Sequence, residues 1–293
     1  MISDIAGMRF VRALAPLLAV LLLATACQPA ALAPKASPSP ASPPKHIFVI
    51  VLENTPYQLA MRQRYIASLA QQYAVATNYS DISNPSLPNY LAMTSGSTWG
   101  ITDDLYHTLP ATGLGKQLTG AGVSWKAYME GFTGDCLDSP YPYVVKHNPF
   151  AYYGGDCPAN VVPMTDLAVD LNGDTPRLSW ITPGMCNDGH DCGVAKADRW
   201  LSQTVPQIIG SKAWKQGGAL FITWDESGVA NGRVALLVVA PGLRGQLTMP
   251  LNHYSLLATI SDRLRIPRLG LAKQATSLQP QIEAAVAKSP TSG

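Results

Sequence analysis

The run Ile47-Phe48-Val49-Ile50-Val51-Leu52, entered through His46, is continuously apolar and rich in β-branched residues. A strand with no polar residue to alternate is buried on both faces, which in a soluble protein means a parallel sheet between two helix layers. Similar runs lie at 122–128, 178–182, 219–224 and 233–240, and helix-like segments at 59–73, 114–120, 196–209 and 255–264 separate them. Strands alternating with helices predict an α/β fold with a mainly parallel central sheet and helices on both faces. Ligands in such sheets bind beyond the carboxyl ends of the strands, so polar residues that directly follow a strand are where chemistry is expected.

The chain before this pattern is of another kind. Arg9 and Arg12 precede an apolar stretch from Ala13 to Ala26, interrupted by Pro16. It is short for a membrane span and fits the core of a signal peptide. Small residues then lead into Cys27, a pattern that resembles a bacterial lipobox. The expectation is a lipoprotein signal peptide over 1–26 and a lipidated Cys27. That would anchor the protein to the membrane on the extracytoplasmic side of the bacterial cell envelope, with plain secretion as the alternative. Residues 27–44 are mostly Pro, Ala and Ser and read as an extended tether. The catalytic domain is expected over 45–278, the length of one domain, with a C-terminal tail over 279–293.

The formal net charge is +2, only 14% of residues are charged, and no basic run occurs, so nucleic acid is not an expected partner. An exported chain with five cysteines is expected to form disulfides. Setting Cys27 aside, Cys136, Cys157, Cys186 and Cys192 allow three connectivities, of which sequence proximity favours Cys136–Cys157 and Cys186–Cys192. Zinc binding by the four is the rival reading, against which stands the lack of a CxxC pair.

Glu53-Asn54 follow the first strand and Asp225-Glu226 the fourth. Together they supply hard oxygen donors for a divalent metal ion. Ser86 stands between Pro85 and Pro88, just before a helix-like run. A serine there can sit at a helix N-terminus, where free N–H groups favour an anion, and can act as a nucleophile toward phosphorus. The alternative is a capping serine in a Pro-rich loop. His147, His190 and His253 occupy polar, turn-rich settings suited to phosphate binding, protonation of a leaving group or metal ligation.

Taken together, six pieces of the chain resemble the phosphoesterase family of bacterial phospholipases C and acid phosphatases, within the alkaline-phosphatase-like superfamily. They are 46–54, 85–96, His147-Asn148-Pro149-Phe150, Asn187-Asp188-Gly189-His190, Thr223-Trp224-Asp225-Glu226 and 252–257, in family order. The resemblance implies an alkaline-phosphatase-like fold and a hydrolase acting on phosphate esters. It implies that Glu53, Asn54, Asp225 and Glu226 hold the metal with the Ser86 oxygen, and that Ser86 is the nucleophile. Asn89 would bond a phosphoryl oxygen, and His147 and His190 would contact the phosphate or leaving group. His253 matches a histidine preceded by Asp in relatives, whereas Asn252 stands here. Ser227-Gly228 after the acidic pair and the short chain favour an acid-phosphatase-like phosphomonoesterase. A phospholipase C-type phosphodiesterase is the runner-up, and a non-catalytic envelope lipoprotein that binds phosphate or a partner is the reading from another class.

Overall fold

The six residues of β1 (Ile47–Leu52) are all inaccessible to solvent, the result of having apolar neighbours on both faces. In the computed structural model, which describes residues 45–138 and 140–288, β1 lies inside an eight-stranded sheet. The other strands are β2 (Ala74–Ala76), β3 (Tyr79–Ser80), β4 (Trp125–Met129), β5 (Val161–Pro163), β6 (Leu178–Thr182), β7 (Ala219–Trp224), β8 (Leu236–Val239), β9 (Gly245–Leu247) and β10 (Leu251–Asn252). The helices are α1 (Tyr57–Ala60), α2 (Arg64–Gln72), α3 (Ser86–Ser95), α4 (Gly113–Gly120), α5 (Asp166–Asn172), α6 (Val194–Gly210), α7 (Lys212–Lys215), α8 (His253–Leu264) and α9 (Gln279–Lys288).

The sheet order is β5-β4-β6-β1-β7-β8-β2-β9, while β3 and β10 pair separately. β5, β4, β6, β1 and β7 are mutually parallel. The expected strand at 233–240 is present as β8 but runs antiparallel to both β7 and β2. Its cause is the connection from β7, which contains no helix: a parallel return needs a long crossover, whereas an antiparallel one closes over a short loop. The helices form two packed sets, α3 with α4 and α8, and α2 with α6, α5 and α7.

Three boundaries differ from the sequence pattern. The helix expected over 59–73 breaks into α1 and α2, because Asp198 on α6 accepts the backbone N–H groups of Tyr65 and Ile66 and starts α2 afresh at Arg64. α8 begins at His253, two residues early, because Asn252 forms a capping box with Ser255. The folded domain also runs past residue 278. In α9, Ile282 is fully buried, and Arg263 of α8, itself 2% exposed, donates to Gln279. The apolar stretch at 13–26, Cys27 and the tether lie outside the described residues.

Both favoured cysteine pairs are formed, Cys136–Cys157 and Cys186–Cys192. No zinc reading of these four thiols survives, since each sulfur is spent on its partner.

Candidate active site

β1 and β7 are parallel neighbours in register, with Leu52 opposite Trp224. The next residue on each strand is an acid, Glu53 and Asp225, and both are fully buried. The ladder continues one step beyond the sheet: Asp225 N–H donates to Leu52 O (2.9 Å), Thr55 N–H to Glu226 O (3.0 Å), and Glu53 N–H to Asp188 O (3.1 Å). Asn54 turns the chain away with φ 49°, a left-handed conformation that Asn tolerates, and its N–H donates to Asp225 Oδ1 (3.0 Å).

Ser86 is the first residue of α3 and is 2% exposed. Pro85 precedes the helix and Pro88 falls in its first turn, where the missing N–H costs no internal bond. The Ser86 hydroxyl donates to Glu53 Oε2 (3.1 Å). One turn on, the Tyr90 hydroxyl donates to Glu53 Oε1 (2.5 Å), and the Tyr90 ring stacks on His147. His147 lies between two carboxylates, Nε2 3.2 Å from Glu53 and Nδ1 3.3 Å from Asp188. Burial alone would lower its pKa, but these two acids raise it to about 10, so the ring is an imidazolium. Burial would likewise raise Glu53, yet His147, Tyr90 and Lys146 hold it below the ordinary carboxylate range.

The remaining acids are pushed the other way. Burial, then the charge of Glu53, drives Asp225 well above its ordinary value. Burial raises Glu226 to about 7 although the Asn84 amide donates to its Oε2 (2.5 Å). Burial raises Asp188 against the pull of His147. Several polar atoms here have no hydrogen-bonding partner, namely Asp225 Oδ2, Asp188 Oδ2 and His147 Nε2, whose ion-pair contacts lack the alignment of a hydrogen bond. Among the described residues no three His, Cys, Asp or Glu side chains form a ready-made metal cage. The donors are nonetheless oxygen-rich and carboxylates dominate. With buried acids crowded together and a partnerless oxygen on Asp225, they fit a hard divalent cation.

Of the other expected residues, His190 stands at the edge of the cluster. Its ring is partly exposed, 5.8 Å from that of His147, and bonded to Asp191 (2.8 Å). Asn89 and His253 are bonded within the fold. Asn89 is fully buried and spends its whole amide on the loop before α3: Oδ1 accepts from Ile82 and Ser83 N–H, and Nδ2 donates to Ser83 and Pro85 carbonyls. These bonds use both amide hydrogens and tie Asn89 to the loop that leads into Ser86. His253 is also fully buried. Its Nε2–H donates to the Asp225 carbonyl (2.6 Å) and its Nδ1 accepts from the Tyr79 hydroxyl (2.8 Å). Burial pushes its pKa down to about 4, so it is a neutral brace behind Asp225 and contacts no reacting group. Asn252, the departure from the Asp-His pattern, serves as the cap of α8.

Residues 57–267 match the model of the phosphoesterase family, well over half of the chain. The chain belongs to the phosphoesterase family. This phosphoesterase is 30% identical to a probable acid phosphatase of Kluyveromyces lactis over 77% of its own length and 59% of that protein's. It is 28% identical to a phosphate-repressible acid phosphatase of Penicillium chrysogenum over 75% of its length and 59% of that relative's. The chain thus spans less than two thirds of the length of these fungal relatives. Against a phosphatidylinositol-3-phosphatase of Mycobacterium tuberculosis it is 29% identical, with 78% of this chain and 80% of that one aligned. A solved structure of an alkaline phosphatase superfamily protein from Vibrio parahaemolyticus superimposes with a TM-score of 0.54 at 11% identity, covering 76% of this chain and 66% of that one. The phosphonate monoester hydrolase of Agrobacterium radiobacter gives the same TM-score at 12% identity, covering 82% and 77%. The phosphoesterase therefore has the alkaline-phosphatase-like fold.

Four residues of the phosphoesterase site escape sequence reasoning: Tyr90, Asp188, Asn84 and Lys146. Asn84 and Tyr90 flank Ser86 in the same stretch, and Asp188 sits in the Cys186–Cys192 loop beside His190. Proximity to the recognised residues was the available signal.

Proposed function

We propose that this phosphoesterase is a metal-dependent phosphomonoesterase of acid-phosphatase type that works through a phosphoserine at Ser86. The observation that carries the reading is the Ser86 hydroxyl, at the start of a buried helix, bonded to Glu53 amid an acid cluster with unpartnered oxygens. Three relatives cited above are named as phosphatases, which supports the phosphatase reading over the phospholipase C one.

Glu53, Asn54, Asp225, Glu226 and the Ser86 oxygen would hold the divalent ion, which when bound neutralises phosphoryl charge and acidifies a hydroxyl. Ser86 Oγ forms the bond to phosphorus as the bond from phosphorus to the ester oxygen breaks. The hydroxyl proton passes to solvent as the bond forms, Glu53 keeping its charge and orienting Oγ, and the departing alkoxide takes a proton from His190 at the edge of the cluster. Water then attacks the phosphoserine, restoring the hydroxyl and releasing inorganic phosphate. Asn84 and His253 hold Glu226 and the Asp225 backbone in place, so that positioning and fixed charge supply most of the rate. Export is supported by Arg9, Arg12 and the apolar stretch before Cys27, and anchoring in the envelope by the small residues before that cysteine.

The test is turnover of p-nitrophenyl phosphate by the full chain, with and without a chelator, beside Ser86→Ala. Activity is expected to vanish on chelation and return with a divalent ion. Ser86→Ala should keep its fold and lose several orders of magnitude in kcat. Rapid quench should place phosphate on Ser86. A folded Ser86→Ala protein with near-normal turnover would overturn the reading.

A further inference from the structure

We propose that Lys146 is a substrate-binding residue that gives this site its preference for dianionic phosphomonoesters over monoanionic diesters. The inference rests on the phosphoesterase reading and assigns its charge selectivity to one side chain.

The placement is specific. Lys146 immediately precedes His147 in a short 3-10 turn, so the two cations leave the same turn side by side. His147 enters the buried acid cluster and is already shared between Glu53 and Asp188. Lys146 stays 17% exposed and sets its ammonium 2.8 Å from Asp104 Oδ2. The other oxygen of that carboxylate, Oδ1, accepts the N–H of Leu87 (3.0 Å). Leu87 directly follows Ser86, so one carboxylate's width separates the ammonium from the first amide beyond the nucleophile.

Asp104 therefore occupies the place an anion would take at the start of α3, with its charge facing a lysine. A phosphoryl group at Ser86 lies one residue from that amide, which Asp104 already engages, so the donor left for it is the ammonium. An ammonium has three N–H donors, and Asp104 takes one, which leaves two for equatorial phosphoryl oxygens. Burial alone would lower the ammonium's pKa, but Asp104, and beyond it Glu53 and Asp225, raise it, so the charge persists.

The charge balance says which substrate benefits. Glu53, Asp188, Asp225 and Glu226 crowd the site, and an anion needs cations to offset them. A phosphomonoester near neutral pH carries close to two negative charges on three free oxygens. A diester carries one charge on two. A fixed cation beside phosphorus thus favours the monoester by about twice its attraction for the diester. Asp104 is a positioning residue that keeps the flexible lysine aimed at this spot.

The experiment compares the full-length protein with Lys146→Met and Lys146→Arg, using p-nitrophenyl phosphate and bis(p-nitrophenyl) phosphate, with titration of inorganic phosphate by calorimetry. Lys146→Met should lose about 100-fold in kcat/KM on the monoester and, at half the attraction, about tenfold on the diester, and should bind inorganic phosphate more weakly. Lys146→Arg should recover much of both. If Lys146→Met fails to fold by circular dichroism, Lys146→Gln serves in its place. Equal losses on the two esters, or unchanged phosphate affinity, would overturn the proposal. If the wild-type chain hydrolyses neither ester, the phosphomonoesterase reading fails, while the phosphate titration still decides the role of Lys146.

Discussion

The Tyr90 hydroxyl sits 2.5 Å from Glu53 Oε1, on the carboxylate whose other oxygen accepts from Ser86. The two donors belong to one face of α3, four residues apart, so a single helix orients both oxygens of the acid. Burial, then the charge of Glu53, holds the phenol far above its ordinary pKa, so it remains a donor. Tyr90→Phe keeps the ring on His147 and removes only the donor. It should cost about 1–3 kcal/mol in urea unfolding, the usual consequence of a buried carboxylate losing a bond. Turnover should fall with it. Wild-type stability in the variant would show that Glu53 does not depend on Tyr90.

Asn89 is expected to act through Ser86. Asn89→Leu keeps the volume and strips the acceptor from two backbone amides, Ile82 and Ser83. A loss of about 3 kcal/mol in denaturant unfolding is expected. kcat should drop more than KM rises, since the loop that presents Ser86 loosens. A direct phosphate contact would instead appear as weaker binding of inorganic phosphate with stability unchanged, and that outcome would reinstate the role the sequence suggested.

His253 gives a pH prediction. Its folded pKa is lowered to about 4 by burial, with the Asp225 carbonyl partly opposing. The unfolded chain takes up the proton near pH 6.5, the folded one only near 4. The contribution is therefore complete above about 6.5 and lost as pH falls toward 4, amounting to about 2 kcal/mol at pH 5. Glu226, raised to about 7, acts in the opposite sense over part of this range, so the comparison must be made against a variant. His253→Gln can still donate to Asp225 and accept from Tyr79. Its stability should fall less between pH 7.5 and 5 than the wild type's. Equal slopes would refute the assignment.

Asp225 predicts a crossing pattern with metal. Without a divalent ion its buried carboxyl, beside Glu53 and with one bare oxygen, is a burden, so Asp225→Asn should unfold at equal or higher temperature in the presence of chelator. With the ion added, the wild type should gain about 2–3 kcal/mol near a hundredfold excess over Kd, and the variant little. A variant stabilised by the ion as strongly as wild type would remove Asp225 from the ligand set.

The buried strands were legible because β1 has no polar residue and β6 and β7 interrupt their apolar runs only with Ser179, Thr182 and Thr223, none of them charged, and the acids after β1 and β7 followed from the rule that chemistry lies at strand ends. Partner choice was not legible. Tyr90 reads as one more apolar residue of α3, and its role depends on where that helix crosses the end of β1. Asn89 and His253 matched a family pattern, yet their hydrogen bonds run to backbone atoms of Ser83, Pro85 and Asp225, which no side-chain motif encodes. The orientation of β8 turned on a loop without a helix, a signal that was present in the spacing and outweighed by the apolar run.

The in-register pairing of β1 with β7 bears on how a gene for this protein can vary. Glu53 and Asp225 are the next residues on strands that pair Leu52 with Trp224. Side chains alternate faces along a strand, so one codon gained or lost within either run would turn its acid to the opposite side of the sheet. Length in these two segments is under tighter restraint than identity: Val for Ile inside them is a small change, whereas a single-residue deletion removes the chemistry. Insertions are best borne by the exposed turn around Val229, where no strand register is set.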